Sequence, residues 1–211
     1  MTQRLRVVAG LGNPGAKYES TRHNAGFWFA DELARRYGGQ FRHETRFNAD
    51  VCRAQIETES VWLIKPMNYM NRSGGPLRAF LDYYRLDVGS LLVAHDEIDL
   101  PVAALRLKEG GGHGGHNGLR DTIACLGAKF YRLRIGVAHP GHRDDVVDYV
   151  LKSASVNDQR QLDEAVDRAA DVVPTMISRG FQVAMNEINR RPAADKPNKP
   201  SKPENGDTDG D

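Results

Sequence analysis

The chain has 211 residues, 40% of them hydrophobic and 27% charged, with a formal charge of +1, the composition of a soluble globular protein long enough to bury one full core. No stretch approaches the ~20 apolar residues that cross a bilayer, and the N-terminal MTQRLRVVAG lacks the apolar core of a signal peptide, so the cytoplasm is the expected compartment. Cys52 and Cys125, with no C-x-x-C pair, support neither a disulfide framework nor a cysteine-rich zinc site.

Val7, Val8 and Ala9 form an apolar run suited to a buried strand, which Gly10, Gly12, Pro14 and Gly15 end with turn chemistry. A helix restarts at about Thr21, a fitting N-cap, since Ala25, Phe29, Leu33 and Tyr37 recur on one helical face. His23 then falls in the first helical turn, where the positive end of the helix dipole disfavours imidazolium. That suits a general base, and we read His23 as the catalytic centre. An isolated histidine more often packs or caps, so the weight rests on the groups that join it.

Gly10 to Gly15 also satisfies G-x-G-x-x-G directly after a strand, the pattern of a dinucleotide site. Here Pro14 removes an amide, residues 16–20 separate the glycines from the helix, and Asp31 falls mid-helix instead of ending a second strand. Nucleotide binding therefore ranks below hydrolysis.

Further along, residues 41–46 and 49–56 read as strands, followed by 61–64 across a polar turn. Leu77, Phe80, Leu81 and Tyr84 repeat at helical spacing, giving a second helix that ends near Arg85. Residues 90–94 form another apolar strand, which delivers His95, Asp96 and Glu97 to its C-terminal end, where open α/β sheets bind ligands. Residues 102–108 alternate as an exposed-face strand, and the glycine-rich 109–118 opens a helix through Ala124. The strand 131–137 carries Arg132 and Arg134 on the face opposite Leu133 and Ile135. Helices are expected over 156–176, kinked or ended near Pro174, and over 181–188. From Arg191 onward four Pro, two Gly and no large apolar residue predict a disordered tail. The alternation of strands and helices predicts an α/β fold, a single domain over residues 1–190 whose mixed sheet is covered by helices on both faces.

Four polar groups fall at element ends: Asn13 with His23, Asn71, His95-Asp96, and His113 to Asn117. Convergence on one cleft is the economical reading, with Asp96 orienting His23 so that the ring takes a proton from water. A zinc shell from His113, His116, His95 and Asp96 is disfavoured, because two loop histidines flanked by glycine lack the i, i+4 presentation of a helical pair. No G-x-S-x-G elbow supports a serine nucleophile. Direct attack by water, without metal or cofactor, is the favoured chemistry. Charge is uneven: residues 102–143 hold seven Lys/Arg against two acids, and 144–190 hold five against nine. A basic segment in a near-neutral chain fits a local contact with a polyanion as well as it fits a solvated face.

The segments GLGNPGAKYESTRHNAGF, NYMNRSG, LLVAHDEIDLP, GGGHGGHNGL and FYRLRIGVAHP, in this order, resemble the bacterial-type peptidyl-tRNA hydrolase family over Leu5 to about Ile188. The resemblance implies an α/β/α monomer that cleaves the ester joining a peptide to the 3′ end of tRNA. It implies that His23 is the base and Asp96 its partner, and that Asn13 and Asn71 position the ester and stabilise the oxyanion. Asn117 is implied to contact the water or peptide backbone, Tyr18 and Met70 to seat the tRNA end and peptide, and Lys108 with Arg134 to clamp the tRNA 5′ phosphate. The alternative is an RNA-binding protein that keeps the fold but has lost turnover. The presence of both His23 and Asp96 argues against it.

Overall fold

A computed structural model describes residues 4–190, and the tail expected from residue 191 lies outside the described residues. Among the described residues seven strands form one sheet: β1 (Val7–Gly10), β2 (Arg42–Glu44), β3 (Ala49–Ile56), β4 (Glu59–Pro66), β5 (Leu91–Glu97), β6 (Leu105–Glu109) and β7 (Tyr131–Gly136). Their order is β2-β3-β4-β1-β5-β7-β6. β4, β1, β5 and β7 are mutually parallel, while β2, β3 and β6 add antiparallel flanks. The helices are α1 (Ala25–Arg36), α2 (Gly74–Tyr84), α3 (Asn117–Leu126), α4 (Val146–Val150), α5 (Val156–Asp171), α6 (Val173–Ser178) and α7 (Phe181–Ile188).

The central strands are buried on both faces, which is why β1 and β5 read as unbroken apolar runs. Val8, Leu63, Leu92 and Leu133 face a core built with Phe29 and Leu33 of α1 and Leu162 and Val166 of α5. Val7, Ala9, Ile64 and Val93 face the other way, onto Leu77 and Phe80 of α2 and Leu119 of α3. The expected three-layer α/β/α arrangement is therefore the observed one. Two glycines set how closely α1 lies on the sheet. A Cβ on Gly10 would overlap the Gly26 carbonyl, and one on Gly26 would overlap the Ala94 carbonyl. Only paired glycines let the start of α1 sit across the ends of β1 and β5.

Several boundaries differ from the sequence reading. α1 starts at Ala25, not Thr21; a 3₁₀ turn, Arg22–Asn24, precedes it, and the Thr21 hydroxyl donates to the Tyr18 carbonyl instead of capping the helix. His23 thus lies in the turn, outside the helix. β2 is shorter than residues 41–46 and wholly exposed, having no apolar face to bury. β5 runs through Glu97, so His95 and Asp96 belong to the strand itself. β6 starts only at Leu105, because Ala103 takes a left-handed φ of 63° that breaks the strand. Arg132 does oppose Leu133, but it is buried, 2% exposed, because the glycine-rich loop covers that face of β7. The break between α5 and α6 falls at Val172, two residues before Pro174, as the proline requires.

Candidate active site

Gly12 and the following turn bring Asn13 beside the start of α1, where Asn24 holds it at both ends. The Asn13 backbone N–H donates to Asn24 Oδ1 at 2.8 Å, and Asn24 Nδ2 donates to the Asn13 carbonyl at 3.0 Å. Asn13 Oδ1 then accepts from the Met70 backbone N–H at 2.8 Å. With its oxygen committed, Asn13 has its Nδ2 left as the donor in the cleft. The turn glycines serve packing: a Cβ on Gly12 would enter the Phe27 ring.

His23 meets Asp96 from β5. Its Nδ1 lies 2.9 and 3.0 Å from the two carboxylate oxygens, so Nδ1–H donates and Nε2 carries the free lone pair. His116 approaches the same carboxylate, with Nε2 2.9 Å from Asp96 Oδ1. Its other nitrogen, Nδ1, accepts from the Leu119 backbone N–H at 3.2 Å, which places the proton on Nε2. Asp96, 3% exposed, therefore accepts from two imidazoles. Burial is the largest influence on its pKa and pushes upward, but the two histidines outweigh it and hold Asp96 well below the usual carboxylate range. For His23 burial is again the largest influence and lowers the pKa. The charge and hydrogen bond of Asp96 together overcome it, and the ring titrates above its ordinary 6.5. The sequence reading places the ring in the first turn of α1, where the dipole keeps it neutral; the ring instead precedes α1, and Asp96 draws its pKa upward.

His95, next to Asp96, is buried with Nδ1 donating to the Asp96 carbonyl at 2.7 Å, and burial takes its pKa down to about 3. It is a neutral wall residue. The ligating atoms of His23, Asp96 and His116 lie within 4.8 Å of one another, close enough to share an ion. The proton that Leu119 fixes on His116 Nε2 occupies the lone pair a metal needs, so these residues fit a hydrogen-bonded set better than a metal shell. His113 stands apart, its Nδ1 accepting from the Gly115 N–H.

A cavity of about 660 Å³ gathers Asn13, Tyr18, His23, Met70, Asn71, Asp96 and Asn117. All seven come to one cleft from four separated segments of chain, 13–23, 70–71, 96 and 117. Lys108 and Arg134 do not line it. They line a neighbouring hollow of about 280 Å³ with His95, Glu97 and Arg132, and the two cavities share Glu97 and Gly114. Arg134 Nε pairs with Glu97 at 2.9 Å, whereas Lys108 has no carboxylate partner among the described residues. Arg132 Nη1 and Nη2 donate to the Gly112 and Gly111 carbonyls and brace the glycine loop. Reading the sequence missed Asn24 and the bond from His116 to Asp96. Each adjoins a flagged residue, but only contact across the fold shows what it holds.

The chain matches the family model for peptidyl-tRNA hydrolase over residues 7–197. It is 51% identical over 186 residues to the peptidyl-tRNA hydrolase of Halorhodospira halophila, covering 88% of this chain and 96% of that protein. It is 52% identical over 191 residues to that of Aromatoleum aromaticum, covering 90% and 96%. The crystal structure of peptidyl-tRNA hydrolase from Acinetobacter baumannii superposes with a TM-score of 0.87 at 44% identity, over 90% of this chain and 96% of that one. The chain belongs to the peptidyl-tRNA hydrolase family, ester hydrolases that act on peptidyl-tRNA.

Proposed function

We propose that His23 and Asp96 hydrolyse the peptidyl-tRNA ester by activating water directly, without metal or cofactor. The observation that carries this reading is the bond from His23 Nδ1 to the carboxylate of Asp96, which leaves Nε2 basic in the cavity wall. Nε2 takes a proton from water as the oxygen attacks the ester carbonyl, and returns it to the departing 3′ oxygen of tRNA. Asp96 stays ionised, holds the tautomer and balances the imidazolium. Asn13 Nδ2 and Asn71 serve the oxyanion, Asn117 the water or peptide backbone, and Tyr18 with Met70 seats the tRNA end and the peptide. In the second hollow Lys108 and Arg134 bind the 5′ phosphate. Residues 1–190 act as one catalytic domain, and the enzyme works as a monomer in the cytoplasm, where its substrate arises during translation.

Purified peptidyl-tRNA tests the base directly. His23→Ala is expected to fold and to lose ~10²- to 10⁴-fold in turnover, the usual worth of a positioned base. Wild-type turnover in that variant would overturn the mechanism, and an inactive wild type would favour an RNA-binding protein instead.

A further inference from the structure

Arg22 precedes His23 and has no part in the chemistry above, yet its side chain is buried, 9% exposed. Its closest carboxylate oxygen, Asp158 Oδ2, stands 3.7 Å away. Arg22 Nη1 donates instead to the Ser153 carbonyl at 2.9 Å, with the Lys152 and Tyr149 carbonyls at 3.3 and 3.4 Å sharing its protons. The guanidinium lies 4.2 Å from the centre of the Tyr149 ring. The backbone is joined as well, through Arg22 N–H to the Lys152 carbonyl and a bridge between Thr21 and Ser153. Placing a guanidinium on carbonyls inside the protein carries a desolvation cost, and what it holds here is one short segment.

That segment is the end of α4. Five residues cannot sustain a helix alone, and Val147 is 62% exposed. Besides Arg22, its side-chain tethers include the Tyr149 hydroxyl, which donates to the Val137 carbonyl at 2.6 Å, and the Ser153 hydroxyl, 2.7 Å from that of Ser20. Val146, Val147, Val150 and Leu151 form an apolar stretch in the wall of a cavity whose other groups include Asn13 and His23.

We infer that Arg22 is a positioning residue: it fastens α4 to the turn carrying His23, and so places the apolar wall that receives the side chain of the esterified amino acid. The inference rests on the reading of this cavity as the place of ester hydrolysis. An apolar wall beside a polar reaction centre suits the part of the substrate whose polarity varies, the amino-acid side chain one carbon from the scissile carbonyl. Arg22→Lys keeps the charge but loses the planar guanidinium, which reaches the three carbonyls through Nη1 while lying over the Tyr149 ring.

The test compares N-acetyl-leucyl-tRNA with N-acetyl-aspartyl-tRNA. Arg22→Lys is expected to raise KM for the leucyl substrate about tenfold, the low end of what an apolar pocket contributes, with less change for the aspartyl one. kcat and its acid limb, set by His23, stay in place. An unchanged KM with a lowered melting temperature means a merely structural residue and overturns the inference. So does an equal rise on both substrates, or a fall in kcat with a shifted acid limb. Because Arg22 is buried, Val147→Thr provides a second route at an exposed side chain, polar but uncharged: it is expected to raise KM for the leucyl substrate and not for the aspartyl one, and no change for the leucyl substrate removes the wall. Failure of the hydrolytic reading would appear separately, as turnover that survives His23→Ala.

Discussion

Asp96 acts on His23 in two ways that a single substitution separates. It raises the imidazole pKa against burial, and it fixes the proton on Nδ1. A base works only when neutral, so kcat/KM is expected to fall as pH drops through a pKa above 6.5. In Asp96→Asn both raising influences disappear and burial remains, so the acid limb is expected to move to lower pH even as the plateau drops. A pH–rate profile on peptidyl-tRNA reads this, and an unmoved limb would show that another group controls it. His95 gives the opposite sign in stability. Its folded pKa of about 3 lies below the ordinary 6.5, so the unfolded chain binds the extra proton between those values and stability declines as pH falls through that window. The slope from one proton is at most about 1.4 kcal/mol per pH unit. His95→Gln is expected to flatten the fall of melting temperature between neutral and acid pH, and an unchanged slope would place the acid sensitivity elsewhere.

At the level of elements, the antiparallel pair β6 and β7 carries the question of substrate choice. Register places Lys108 opposite Arg132 and Arg106 opposite Arg134, so all four cations share one face of the sheet. Alternation in the sequence puts Arg132 and Arg134 on one face of their strand. It does not show that Arg132 is buried beneath the glycine loop or that Glu97 already holds Arg134. A phosphate must compete with Glu97 for Arg134, whereas Lys108 is unpaired among the described residues. Lys108→Ala is therefore expected to raise KM for peptidyl-tRNA more than Arg134→Ala does, with kcat nearly unchanged and a shallower dependence on salt. The measurement compares tRNA with and without its 5′ phosphate; equal losses on both would sink the clamp.

For the whole molecule, two expectations concern what the enzyme does without. Chelators are expected to leave the rate unchanged, and a loss restored by zinc would reopen the cluster of His23, Asp96 and His116 as a metal site. Truncation after Arg190 is expected to leave turnover and melting temperature as they are, since the composition beyond it has no apolar surface to pack. A large fall in either would show that the segment docks. The sequence by itself determined the α/β class, the buried strands and the candidates His23, Asp96, Asn13 and Asn71, because apolar runs, helical spacing and turn residues are local signals. It also carried the family resemblance, since long motifs in register survive without any knowledge of contacts. Tertiary structure decided the rest: that His23 lies in a 3₁₀ turn, that Asp96 answers two histidines, that Lys108 and Arg134 occupy a second hollow, and that Arg22 bonds the carbonyls of Tyr149 and Ser153. Each of these depends on groups far apart in the chain meeting at a few ångströms, as His23 and Asp96 do across 73 residues, and no local pattern encodes such a distance.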